Sequence, residues 1–344
     1  MARRPTIRDV AARAGVHPGT ASRALNPALP GRIAAATALR VRTAAEELGY
    51  TPDPTARSLR TRRSGVVGVV VPDLTNPVLP PIVRGVEETL WAAGIACLVA
   101  DTDNDPAREA VAVRELLARR CEGLVIATAT RASATVRALA GADPPAVLVT
   151  RDVEDAGLPF VAGDDAGGVE AAARHLLDLG HRRIAYLAGP PDLSTTVTRR
   201  AAVERALADV DLVVASARTY GIADGREAAR DLLASAPRPT AILAGNDMLA
   251  LGVYEALAEA GLRCPADVSV AGHNDMPLVD RLDPPLTTVA IPRAEIGVAA
   301  ARVLLGRMAG GGDGGGPRRT LLPTRLVVRG STGPPPAAAS RAPA

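Results

Sequence analysis

The sequence predicts an α/β protein whose parallel sheets follow a small all-helical module, and three observations carry that prediction. From Val66 onward, apolar β runs alternate with amphipathic helical stretches, the pattern of parallel sheets covered on both faces. Residues 1–63 show helical periodicity alone. Positive charge is also concentrated there: 12 Arg stand against Asp9, Glu46, Glu47 and Asp53, a net +8, although the whole 344-residue chain carries only +3. A basic module therefore precedes a mildly acidic body, and such asymmetry points to a polyanionic partner.

The first helix is capped by Thr6, repeats its apolar face through Ile7, Val10, Ala11 and Ala14, and ends at Gly15. Pro18 suits the first turn of a second helix, with Ala21 and Leu25 facing inward and Thr20, Ser22 and Arg23 left free. So tight a glycine turn between two helices is the helix-turn-helix pattern. A third helix with Val41, Ala44, Ala45 and Leu48 on one face closes a three-helix core before Gly49.

In the body, GVVGVVV, IACLVA, GLVIAT, AVLVT, IAYLAG, LVVAS, AILAG and VSVAG read as strands. After Leu305 the run GRMAGGGDGGGPRR reads as a loop before a last strand in TRLVVRG, and GPPPAAASRAPA reads as a disordered tail, 333–344. At 47% hydrophobic and 22% charged, the chain has material for a sizeable core.

Several function classes are disfavoured. No apolar run reaches the ~18 residues of a membrane span, and MARRPTIRDV lacks the apolar stretch of a secretory signal, so the expectation is a cytoplasmic protein with no membrane partner. Cys97, Cys121 and Cys264 form no CxxC pair and are expected to be buried small hydrophobes; His17, His175, His181 and His273 show no ligand spacing. Neither a metal nor a cofactor is predicted. GxGxxG after the first strand, GxSxG and the phosphate loop GxxxxGK[ST] are all missing. Lysine is missing too, so every basic group is Arg, which grips phosphates and guanine edges bidentately.

TIRDVAARAGVHPGTASRALN, followed by LRVRTAAEELGYTPDPTARSLRT, resembles the DNA-binding headpiece of the lactose-repressor (LacI) family across residues 6–62. The resemblance implies a headpiece at 1–50 whose second helix enters the major groove, and a hinge at 51–63. It places His17, Pro18, Gly19, Thr20, Ser22, Arg23 and Asn26 toward DNA, with Arg23 as the principal base reader and Tyr50 at the end of the third helix. In the hinge it implies Ala56, Arg57, Leu59 and Arg60, with Leu59 as a minor-groove wedge. His17 and Ala34 stand where the family usually has a capping Ser, so each helix is expected to lose ~1 kcal/mol.

Further landmarks, PDLTNP at 72–77, LGHRRIAYLAGP at 179–190, PTAILAGNDMLALG at 239–252, DVSVAGHND at 267–275 and PPLTTVAIP at 284–292, resemble the same family's effector-binding body. That body, 64–332 here, is implied to be periplasmic-binding-protein-like, with two interwoven Rossmann-like subdomains and a ligand between them. The resemblance carries Asn76, Arg199, Asn246 and Asn274 or Asp275 over as effector contacts, with Arg151, Asp164 and Thr195 as further candidates and Tyr220 as a stacking face. Val78 and Leu79 follow Asn-Pro where an aromatic is common, so sugar stacking is poorly supported and a phosphorylated, acidic or nucleoside effector stays open. No apolar heptad tail follows, which implies a dimer. The function expected is a transcriptional regulator, a repressor by family default, binding a palindromic operator as a homodimer under control of a small-molecule effector. A solute-binding protein, which the basic headpiece argues against, and an α/β enzyme, for which no nucleophile-base motif is present, are the alternatives.

Overall fold

The computed structural model describes residues 5–25, 33–51, 64–310 and 318–336. They form two compact units, one ending at Ser64 and one beginning at Gly65.

The first unit is three helices, α1 (Ile7–Ala14), α2 (Pro18–Ala24) and α3 (Ala35–Glu47). Their core is small: Val10, Ala11, Ala14, Ala21, Ala24, Val41, Ala44 and Ala45 are buried together. Asp9 accepts from both the backbone N–H and the hydroxyl of Thr6, each at 2.7 Å. Gly15 ends α1 at φ 64°, a left-handed conformation that costs glycine nothing.

The second unit has two lobes. The first lobe follows the sequence β1 (Val66–Val71), α4 (Leu79–Ala92), β2 (Ala96–Asp101), α5 (Pro106–Ala118), β3 (Leu124–Ile126), α6 (Ala134–Arg137), β4 (Ala146–Val149) and β5 (Phe160–Gly163). The chain then crosses into the second lobe for α7 (Asp165–Asp178), β6 (Arg183–Ala188), α8 (Ser194–Ala206), β7 (Asp211–Ser216), α9 (Ile222–Ala234), β8 (Ala241–Ala244), α10 (Asp247–Glu259), β9 (Ser269–Asn274) and β10 (Thr287–Ala290). It returns with α11 (Arg293–Met308) and β11 (Arg319–Leu322) and ends in the second lobe with β12 (Arg325–Val327). The strand orders are β11-β5-β4-β3-β1-β2 and β12-β10-β9-β8-β6-β7. All the pairings are parallel except β12 against β10. The polypeptide thus passes between the lobes three times.

Each sheet is covered by helices on both faces, which is why its central strands are buried end to end: β4 and β8 are buried at every position. Three strands were not read from the sequence: β5, β10 and β11. The loop expected from Gly306 begins later, because α11 continues through Met308. Among the cysteines only Cys121 is buried; Cys97 and Cys264 are half-buried. The body also continues past 332: Gly333 accepts from His181 and exchanges hydrogen bonds with Ser269. Residues 337–344 of the expected tail lie outside the described residues. No described helix is long and apolar enough to cross a membrane.

Each lobe contains one pair of helices in near backbone contact, made possible by glycine. A Cβ on Gly297 of α11 would lie 2.0 Å from the Ile82 carbonyl oxygen of α4, and one on Gly252 of α10 would lie 2.3 Å from the Ile222 carbonyl oxygen of α9. Helix propensity favours Ala over Gly by about 1 kcal/mol, whereas overpacking against backbone costs about 1–3 kcal/mol or more. Gly297→Ala should therefore lower the unfolding free energy of the full-length protein by a net of up to ~2 kcal/mol, read as a lower denaturation midpoint. A stabilised variant would show that the helices separate freely.

Candidate functional site

Two surfaces carry the sequence-predicted residues. On the first unit, Ala21 and Ala24 bury one side of α2, leaving Arg23 exposed and Thr20 and Ser22 half-buried on the other. Pro18 and Gly19 occupy the first turn, and Arg23 Nε donates to the Gly19 carbonyl one turn back at 3.1 Å. The expected loss of an α2 cap does not occur. His17 caps with its ring, Nδ1 accepting from the Gly19 N–H at 3.1 Å. Ala34 supplies no side-chain cap to α3, as expected. Tyr50 is half-buried against the three-helix core. Asn26, Ala56, Arg57, Leu59 and Arg60 lie outside the described residues.

The second surface is the cleft between the lobes, built where strands end and helices begin, as in open α/β sheets generally. An inner chamber of about 70 Å³ is lined by Asn76, Arg151, Thr195, Arg199, Tyr220, Asn246 and Asn274, with an apolar side of Val78, Leu79 and Ile291. It adjoins an outer chamber of about 450 Å³ that shares Asn76, Arg151 and Tyr220. Two hydrogen bonds bridge the lobes beside it: Arg131 N–H to the Asp192 carbonyl at 2.9 Å, and Asp152 N–H to Ser194 Oγ at 2.7 Å.

Seven of the nine predicted effector residues meet in this chamber. Asp164 does not. Its carboxylate caps α7 through the Gly167 N–H at 3.0 Å, and it lines a separate groove beside Arg319. Asp275 is also elsewhere, ion-paired with Arg329 at 2.7 Å. Local bonds occupy several of the seven: Asn76 Oδ1 accepts from Val78 N–H, Asn246 Oδ1 caps α10 through Leu249 N–H, and the Tyr220 hydroxyl meets Thr196 Oγ1 at 2.8 Å. Asn274 sits at φ 119°, an unfavourable backbone region for a side chain of this kind. It is 6% exposed, and its buried Oδ1 has no hydrogen-bond partner among the described residues.

Behind the predicted Arg199, outside the lining of the chamber, stand two residues that sequence reasoning missed, Asp165 and His273. Arg199 is 6% exposed; its Nη2 donates to Asp165 Oδ1 at 2.9 Å and its Nη1 to the Gly245 carbonyl at 2.6 Å. His273 Nε2 meets the same carboxylate oxygen at 3.1 Å. Burial alone would lift the Asp165 carboxyl, but the Arg199 charge and the His273 contact outweigh it and hold the group down to about 2. Burial, with the Arg199 charge added, pushes His273 down to about 4, so its ring is neutral at neutral pH. Asp165 stood in GDDAGG beside Asp164, and nothing in the pattern showed which carboxylate faced inward.

A helix-turn-helix unit joined in one chain to a two-lobed, periplasmic-binding-protein-like receptor defines a ligand-responsive DNA-binding regulator. Residues 6–53 match the model of bacterial regulatory proteins of the lacI family, and residues 173–332 match the periplasmic binding protein-like domain. The ribose operon repressor of Bacillus subtilis (strain 168) is 33% identical over 88% of this chain and 91% of its own length. The HTH-type transcriptional regulator DegA of the same organism is 34% identical over 96% of this chain and 98% of its own. A solved structure of the lac repressor dimer bound to operator and the anti-inducer ONPF superposes with a TM-score of 0.87 at 29% identity, covering 96% of this chain and 100% of that one. The chain belongs to the LacI family of bacterial regulatory proteins.

A histidine whose folded pKa is depressed takes up its proton on unfolding. The stability contributed by neutral His273 is therefore complete above about pH 6.5 and lost as pH falls toward 4. Asp247, raised to about 6 by burial, acts in the opposite sense over much of that window, so the comparison has to be between variants. The difference in melting temperature between wild type and His273→Gln should shrink on acidification from pH 7 to pH 4.5; a pH-independent difference would show that the ring is not held neutral.

Proposed function

We propose that this protein is a transcriptional repressor that binds a palindromic operator as a homodimer in the cytoplasm, and that a small hydroxylated metabolite in the interlobe cleft controls it. The observation that carries this reading is the coexistence in one chain of an exposed, Arg-bearing face on α2 and a chamber between two lobes on which seven of the predicted polar or aromatic side chains converge. Repressors among the relatives support the repressor sense.

The cleft supports effector control by population shift. A ligand moves an equilibrium only through unequal affinity for its two states. A molecule that touches Asn76 and Arg151 from one lobe and Arg199 and Asn246 from the other favours the arrangement in which the bridging bonds of Arg131 and Asp152 form. That preference alters how two hinges are offered to DNA.

Self-association is supported at the edge of the first sheet. Strand β2 is an edge strand that exposes Leu98 (39%) and Val99 (44%), and Trp91 on α4 is 72% exposed. An exposed apolar edge of this kind is a liability in a monomer and an asset at an interface. Leu98→Arg should shift the protein toward monomer in analytical ultracentrifugation and weaken operator binding at least tenfold; an unchanged dimer would place the interface elsewhere.

The DNA-reading role is tested by selecting genomic fragments with the purified protein and measuring Arg23→Ala on the recovered site. The expected loss is ~1–3 kcal/mol on that site and far less on random duplex. Equal losses on both would make Arg23 a phosphate contact, and failure to enrich any sequence would refute the regulator reading.

A further inference from the structure

The two arginines of the inner chamber are in opposite electrostatic situations. Arg199 is neutralised within the protein by Asp165. Arg151 is not: its Nη2 donates to the Asn104 side-chain oxygen at 3.0 Å and its Nη1 to the Thr128 carbonyl at 3.4 Å, both uncharged acceptors. Among the described residues no carboxylate is close enough to ion-pair with it. Glu109 and Asp192 act on it only at longer range, and both Glu109 oxygens are occupied by the hydroxyls of Thr128 and Ser133.

The walls repeat the same polarity. The lining of the inner chamber contains no Asp and no Glu. One helix presents its N-terminus to it, α8 through Thr195, with neither a side-chain cap nor an acidic residue in its first turn, so the positive end of its dipole is uncompensated by the protein. Holding a half-buried guanidinium without a counter-charge costs free energy, and a ligand that brings an anion recovers that cost.

Other groups ask for hydroxyls. Asn274 Oδ1 is a buried acceptor without a donor, and Arg199 Nε a buried donor without an acceptor, among the described residues. The outer chamber is lined by Asp73, Asp103 and Asp192 against Arg151 and Arg218, and Arg218 is already paired with Asp224 and Glu227, so the outer end suits the neutral, hydroxylated part of a ligand better than its anion.

We propose that the effector is an anionic polyol, with a phosphate or carboxylate held by Arg151 at the inner end and hydroxyls reaching Asn274 and Arg199. This rests on the effector-cleft reading above and deepens it by naming the ligand's charge.

The test uses the full-length protein, thermal shift and titration calorimetry, and five probes: glucose, glucose 6-phosphate, gluconate, ribose and ribose 5-phosphate. At least one anionic probe should bind ten or more times more tightly than its neutral parent, and whether phosphate or carboxylate does so identifies the group. Arg151→Gln should abolish that preference and Arg151→Lys should restore part of it. Without ligand, Arg151→Gln should melt within a few degrees of wild type, because losing its two neutral hydrogen bonds is offset by removing a half-buried, unpaired charge. The proposal is overturned if neutral sugars bind as well as their anions, if Arg151→Gln keeps the preference, if that variant melts several degrees lower when unliganded, or if none of the five probes binds. None of these readouts involves DNA, so failure of operator binding and failure of the anion assignment are distinguishable.

Discussion

The buried ion pair between Asp165 and Arg199 is the constraint on which the cleft depends. Asp165 begins α7 and Arg199 lies two turns into α8, while the same side chains reach Gly245 at the end of β8 and His273 near the end of β9. One carboxylate and one guanidinium thus hold four separate chain segments in register behind the interlobe chamber. A buried pair of this kind is weak evidence for net stability, because desolvation offsets much of the attraction; removing either partner alone strands a buried charge and costs about 3–5 kcal/mol. What the pair supplies is geometry: it ties these four segments together behind the chamber.

Around that pair the body is rigid within lobes and narrow between them. The glycine-mediated helix contacts, α4 with α11 and α9 with α10, bring backbones closer than any Cβ would permit and make each lobe a packed unit. The connections between lobes are three short passages at the ends of β5, β10 and β11.

Much of this was legible before any coordinates. Runs such as GVVGVVV and AVLVT declared themselves because strands covered on both faces are apolar throughout. The strands that escaped are short and masked by their neighbours: β5 follows Pro159, β10 is threonine-rich in its first half, and β11 is half polar and exposed at a sheet edge. Most of the cleft residues could be placed from motifs, since Asn-Pro after a strand and Asn-Asp before a helix occupy strand ends. Asp164 and Asp275 could not be told from their neighbours Asp165 and Asn274, because adjacent polar residues at a strand end point in different directions and only the fold decides which. His17 misled for another reason: histidine is not among the usual capping residues, yet its Nδ1 reaches the N–H two residues on as a serine oxygen does.

The threefold passage of the backbone between lobes also limits how this molecule can be taken apart or recombined. The first lobe is assembled from residues on both sides of the second, and the second from residues on both sides of α11. No single cut of the gene liberates either half as a continuous segment. A truncation that aims to isolate one lobe deletes a strand or helix from the other, and shuffling between relatives must exchange the body whole, leaving the junction after the headpiece as the natural place for chimaeras.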